Sequence, residues 1–296
     1  MQLVTIKYGF LSQIVSISTK YVLMFWRWLA VPLLIVALVF LYMTWEVDEK
    51  YAIYIVPPIV LIAVLYSLGP QIDWWWHRRN PPEIDPAIRQ ILNNRSAYYN
   101  NLSAGQKNRF RERMALFALA TDFKPQAMET VPEDVKAAVS YHAVQLTLAY
   151  DEFLLEPFEN VVLYAGPFPS PQYPQWHISE TFEEDGVLLF SVPHLLKGFL
   201  QPAQYYPTGL HELAQAFIHK YPGKPWPDPG AQVWEDIRQI SGVEKDRLLK
   251  YMGLPGLPAL PVCITYFFTH PARFKAVRPD LYTAFSEIFQ QDPAHA

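Results

Sequence analysis

The chain has 296 residues, a formal net charge of -4 from 28 acidic against 24 basic side chains, and 51% apolar residues. That charge balance leaves no basic surface large enough to track a phosphate backbone, which excludes nucleic acid as the expected partner. The single cysteine, Cys263, excludes an intramolecular disulfide and any cysteine-based zinc or redox motif.

Residues 1–20 are only mildly apolar and are assigned no membrane span. From Trp28 to Trp45 no residue is charged, and eighteen residues at about 1.5 Å each make roughly 27 Å of helix, close to the hydrocarbon thickness of a bilayer. A second uncharged run extends from Tyr51 to Ile72, with only Glu46-Val47-Asp48-Glu49-Lys50 between the two. The pair reads as a transmembrane hairpin closed by a tight polar turn, with Pro32 and Pro57-Pro58 expected to bend its helices. A signal peptide is the rival for the first run, but the run is too long and no small-residue cleavage site follows it. Lys7, Lys20 and Arg27 precede the first run and His77-Arg78-Arg79 follow the second, whereas the turn is net acidic. The positive-inside rule then predicts a two-pass protein of the inner (cytoplasmic) membrane with both termini cytoplasmic. Trp26, Trp28, Trp45 and Trp74-Trp75-Trp76 suit the headgroup level. Residues 1–79 are thus the expected anchor, and the lipid bilayer is one partner.

The Pro-rich joint Asn80-Pro81-Pro82 opens the soluble part, residues 80–296. Ser103 is placed to cap an amphipathic helix carrying Phe110, Met114, Phe117 and Ala118. Pro132 opens another, with Val135, Val139, His142 and Leu146 on one face, so that His142 reads as a core histidine. Val161-Val162-Leu163-Tyr164 and Val187-Leu188-Leu189-Phe190 read as two strands of a small sheet, and Glu183-Glu184-Asp185 as a solvated turn. Thr208 is expected to cap a helix running through His211 and His219, followed by helices over Ala231–Ser241, Glu244–Met252, Pro258–Phe268 and Pro279–Gln290. The outcome is an α+β domain dominated by helices.

The segment His211-Glu212-Leu213-Ala214-Gln215 nearly spells His-Glu-x-x-His, in which two histidines one helical turn apart face a single zinc ion. Here the second histidine is Gln215, and a neutral amide oxygen is a poor zinc ligand. His219 cannot substitute, because eight residues of helix place it roughly 12 Å from His211. His177 and His194 have no spacing that would join them to a metal site. Ser179, Ser191 and Thr208 lack the surroundings of a nucleophile motif, and Gly166-Pro167 is a turn rather than a phosphate cradle.

The motifs around this helix carry a resemblance. Leu102-Ser103 with Phe110, Asn160-Val161-Val162-Leu163-Tyr164, and Gly186-Val187-Leu188-Leu189-Phe190-Ser191 precede it in order. Tyr266-Phe267-Phe268, Pro271, Phe274, Pro279, Leu281-Tyr282 and Phe289-Gln290-Gln291-Asp292-Pro293 follow it. Over about residues 100–293 the chain resembles the Mlc titration factor A family, the glucose-regulated zinc metallopeptidases, which implies a gluzincin-like fold. In that family a second histidine and a later glutamate complete the zinc site, and a tyrosine assists. The resemblance maps the tyrosine to Tyr251, the glutamate to Pro258, and a second family glutamate to Thr265. His211, Glu212 and Tyr251 are therefore kept, while two of three metal ligands are replaced at Gln215 and Pro258.

The expected function is that of a catalytically inactive, membrane-anchored peptidase-like domain, a pseudoenzyme that binds a cytoplasmic protein or peptide and serves as a regulatory module with no cofactor. The alternative is an active zinc-dependent peptidase with an unusual ligand set, in which His211 binds zinc and Glu212 and Tyr251 are catalytic.

Overall fold

The computed structural model describes residues 25–294, so the expectations placed on Lys7, Lys20 and the mildly apolar N-terminal stretch lie outside the described residues. The chain divides into two compact units, one reaching to Pro82 and the other beginning at Glu83.

The first unit holds helix α1 (Phe25–Glu46), a 3₁₀ turn at Glu49–Ile55, α2 (Val56–Ser67) and α3 (Gly69–Arg79). Two helical stretches, Phe25–Glu46 and Glu49–Ser67, are long and apolar enough to cross a membrane, and only a small share of each is buried. The second run does not extend as one helix to Ile72. It breaks at Leu68, because Gly69 and Pro70 open a new helix and proline has no N–H to continue the old one. Pro57-Pro58 likewise does not bend a helix: the pair occupies the first turn of α2, where a missing N–H costs nothing. Pro32 does lie inside α1. The Asp48 carboxylate caps the 3₁₀ turn by accepting the Lys50 N–H at 3.0 Å. The Trp26 N–H donates to the buried Asp73 carboxylate at 3.1 Å, and Phe25 stacks on Trp76.

The second unit begins with α4 (Pro86–Arg95), α5 (Ala97–Asn101) and α6 (Ala104–Ala120). Ser103 caps α6 as expected. Its hydroxyl accepts the Gln106 N–H at 3.3 Å while the Gln106 side chain accepts the Ser103 N–H at 2.9 Å, a reciprocal capping box. Strand β1 (Asp122–Gln126), helix α7 (Glu133–Thr147), strands β2 (Asn160–Tyr164), β3 (Ser179–Phe182) and β4 (Val187–Ser191), and helix α8 (Val192–Leu200) follow. The sheet has four strands in the order β1-β2-β4-β3, two more than the sequence predicts. β2 and β4 are parallel to their neighbours β1 and each other, and β3 runs antiparallel along the edge of β4, Ser179 opposite Phe190 and Phe182 opposite Val187. β1 holds a proline and β3 holds buried Ser179 and Glu180, so neither shows the apolar alternation of a half-buried strand. Pro125 is tolerated because β1 is an edge strand. Glu183, Glu184 and Asp185 form the exposed turn between β3 and β4.

Helix α9 (Thr208–Lys220) lies at the centre of the unit and packs on α7, α8, β3 and α12 (Ala259–Thr269). Thr208 is not its cap. Pro207 holds that position, its carbonyl taking the His211 N–H at 3.1 Å, and the Thr208 hydroxyl is buried without a partner. The remaining helices are α10 (Val233–Ser241), α11 (Lys245–Met252), α13 (Pro271–Val277) and α14 (Pro279–Phe289). Phe267, Phe274, Phe285 and Phe289 pack edge to face and stacked among α12, α13 and α14, so the aromatic C-terminal motif is a core.

Candidate functional site

Gly209 lets α9 approach its neighbours. A Cβ at this position would stand 2.7 Å from His142 Cδ2 on α7 and 2.7 Å from Leu195 Cδ1 on α8, closer than carbon atoms pack. Two residues on, His211 is fully buried. Its Nδ1 shares a 2.7 Å hydrogen bond with the Tyr206 hydroxyl, and Tyr206 in turn reaches the Thr265 hydroxyl on α12 at 3.5 Å. Nε2 has no partner. Burial pushes the imidazole pKa down to about 3, so His211 is neutral. His142 is a buried core histidine as expected, with Nδ1 3.2 Å from the Gln145 amide oxygen and its pKa lowered by burial to about 4.

Glu212 points to the other side of α9, toward strand β3. Ser179 donates to Oε1 at 2.6 Å, Thr181 donates to Oε2 at 2.7 Å, and the Gln215 side-chain amide donates to Oε2 at 2.7 Å. Burial raises the Glu212 pKa to about 7, and the two hydroxyl hydrogen bonds oppose it only in part. Behind this carboxylate lies a second buried one. Glu180 Oε2 is 3.0 Å from His177 Nε2, and Glu180 Oε1 has no partner. Burial disfavours the charged His177 imidazolium, but the hydrogen bonds to Glu180 and the Gln175 carbonyl and the charges of Glu180 and Glu212 together outweigh it, and the His177 pKa is raised.

Tyr251 stands on α11. Among the described residues no hydrogen bond joins its buried hydroxyl to His211 or Glu212, its ring meets His194 edge to face at 5.9 Å, and burial pushes its pKa up to about 12. Pro258 precedes α12 in extended backbone, where its ring offers no ligand atom. His194 pairs locally with Ser191 at 2.8 Å, and His219 with Glu183 at 3.6 Å.

The structure thus joins His211 to Tyr206, and through it to Thr265, and Glu212 to Ser179, Thr181 and Gln215. Sequence reasoning missed Tyr206, Thr181 and Glu180. The signal available for the last two was a short polar run, Ser179-Glu180-Thr181-Phe182, ahead of a Gly turn, and it reads equally well as loop.

A helix carrying His-Glu, packed against the antiparallel edge strand of a small mixed sheet, defines a metallopeptidase-type α+β domain. The family model for the glucose-regulated metallo-peptidase M90 matches residues 72–220, half of the chain, and the protein belongs to that family. The match begins within α3, earlier than the resemblance predicts, and ends with α9; Tyr251, Pro258 and the C-terminal motifs lie beyond it. A comparison with curated proteins finds no match.

The family suggests zinc, and the fit can be tested on the residues present. The unpartnered Nε2 of His211 suits a metal ligand. The rest does not: Gln215 offers only a neutral amide oxygen, a poor zinc ligand, with its nitrogen held by Glu212, Pro258 has no ligand atom, and among the described residues no three His, Cys, Asp or Glu side chains converge. These residues do not fit a zinc ion.

Proposed function

We propose that this is a membrane-anchored member of the family in which the peptidase helix has become structural, and that the domain acts by binding a cytoplasmic protein or peptide. The observation that carries the proposal is the Gln215 amide on Glu212 at 2.7 Å. The residue that would be the second imidazole ligand instead supplies a third donor to the carboxylate, alongside Ser179 and Thr181. A carboxylate so engaged is a satisfied buried acceptor, and its loss would leave the Ser179 hydroxyl and the Gln215 amide without this partner, while Thr181 keeps the Glu212 carbonyl within 3.3 Å. A complete structural zinc site is worth of order 10 kcal/mol, most of which is forfeited without the second imidazole and the carboxylate.

The active reading has one observation in its favour, the free Nε2 of His211. Elemental analysis and peptidase assays of the purified chain separate the two. The proposal expects substoichiometric zinc, no hydrolysis, and no gain in metal binding from Gln215→His unless Pro258→Glu accompanies it. Near-equimolar zinc, with a chelator-sensitive peptidase activity abolished by Glu212→Ala, overturns it and makes His211, Glu212 and Tyr251 working residues.

The two apolar stretches and the basic residues flanking them support a two-pass hairpin of the cytoplasmic membrane with both termini inside. A reporter fused after Ala296 and active only outside the cytoplasm refutes this orientation.

A further inference from the structure

A cavity of about 380 Å³ opens beside α11, lined by Tyr205, Tyr206, Arg247, Tyr251, Tyr266 and His270 among others. We propose that it binds a small carboxylate with an aromatic or apolar body, the carboxylate on Arg247 and the body among the tyrosine rings. The volume falls in the range of small-molecule pockets, roughly 300–1,000 Å³. Among the described residues no aspartate or glutamate lines it, and Pro202, Pro207, Val243 and Leu248 supply apolar wall. Arg247 is exposed and, among the described residues, its guanidinium forms no ion pair or hydrogen bond. It lies one turn before Tyr251 on α11, so both side chains share a face. The Tyr251 hydroxyl is buried and unpartnered, a cost that an acceptor on a ligand would remove.

A planar guanidinium with its donors free matches a planar carboxylate in bidentate geometry. His270 adds no second fixed charge, since burial and the nearby Arg273 lower its pKa. One cation is the complement of a monoanion rather than of a phosphate dianion. The cavity borders the His211 site at Tyr206, which lines it and whose hydroxyl holds His211. None of the contacts proposed for the carboxylate involves His211.

The test uses the full chain in detergent micelles, titrated with N-acetyl-L-phenylalanine and, in parallel, with its neutral amide N-acetyl-L-phenylalaninamide, with binding read by calorimetry. The acid should bind about tenfold or more tightly than the amide, as loss of a charge-assisted pair requires. Arg247→Gln should erase that difference without moving the thermal transition, because the side chain is exposed. A pentapeptide ending in phenylalanine distinguishes the source. Binding as tight as that of the small acid assigns the pocket to a protein C-terminus, and loss of binding assigns it to a free carboxylate, either result supporting the site. Equal affinity for acid and amide, an unchanged preference in Arg247→Gln, or no binding of either probe at millimolar concentration overturns the proposal.

Discussion

Gly209→Ala puts a methyl group where α7, α8 and α9 meet. The new Cβ would lie 2.7 Å from both His142 Cδ2 and Leu195 Cδ1, against the 3.5–4.0 Å of ordinary carbon contacts, so one or both neighbours must retreat by roughly 1 Å. Both are buried and held: His142 by Gln145 and the rings of Tyr141 and Phe199, Leu195 by complete burial. Overpacking of this kind costs about 1–3 kcal/mol, and the better helix propensity of alanine returns at most about 1 kcal/mol. With the full propensity gain returned, the net loss is up to about 2 kcal/mol, which in a domain of this size lowers the melting temperature by up to a few degrees. Gly105→Ala is the matched control. It also lies in a helix, α6, but nothing stands within 4 Å of its Cβ, so it should be neutral or slightly stabilising. Thermal unfolding of both variants is the assay. A melting temperature for Gly209→Ala that rises to match the control refutes the close approach of the three helices, and with it the placement of His211.

Acid should destabilise the protein through His142. Its folded pKa, near 4, lies below the usual imidazole value, so the unfolded chain takes up the proton first. Its contribution is fully present above about pH 6.5 and is lost as pH falls toward 4, about 2 kcal/mol of it by pH 5. His211 acts in the same direction and Glu212, its pKa raised, in the opposite one, so the difference between wild type and His142→Phe is the quantity to measure. Denaturant midpoints at pH 7.5 and 5 should fall less in the variant, and parallel behaviour would falsify the assignment. Ser179→Ala removes one donor from the Glu212 carboxylate and should cost about 1–3 kcal/mol in the same unfolding assay, with no loss indicating that the hydrogen bond is absent in solution. A fragment beginning at Pro82 should be soluble and melt cooperatively, because the second unit contains its own core; aggregation or a broad transition contradicts this.

The apolar runs near the N-terminus, the helix cap at Ser103, the position of α9 and the α+β class were all legible in the sequence. Each depends on neighbours within a turn or two, where composition and period speak directly. The break at Leu68 was locally encoded by Gly69-Pro70 and was passed over because hydropathy alone continues through it. Strand β3 was not legible, since its buried Ser179 and Glu180 are polar to serve Glu212 and His177 and so violate the pattern by which strands are recognised. Chain order could state that Gln215 replaces a histidine, but not what Gln215 does instead. That was decided when the antiparallel edge strand, some thirty residues upstream, was laid along α9 and placed two hydroxyls beside the Gln215 amide on one carboxylate. In the same way Tyr206, only five residues before His211, reaches the Thr265 hydroxyl, 59 positions further on, because α12 packs on α9. Local periodicity determines elements; which polar groups share a buried site follows from long-range packing, which residue spacing does not record.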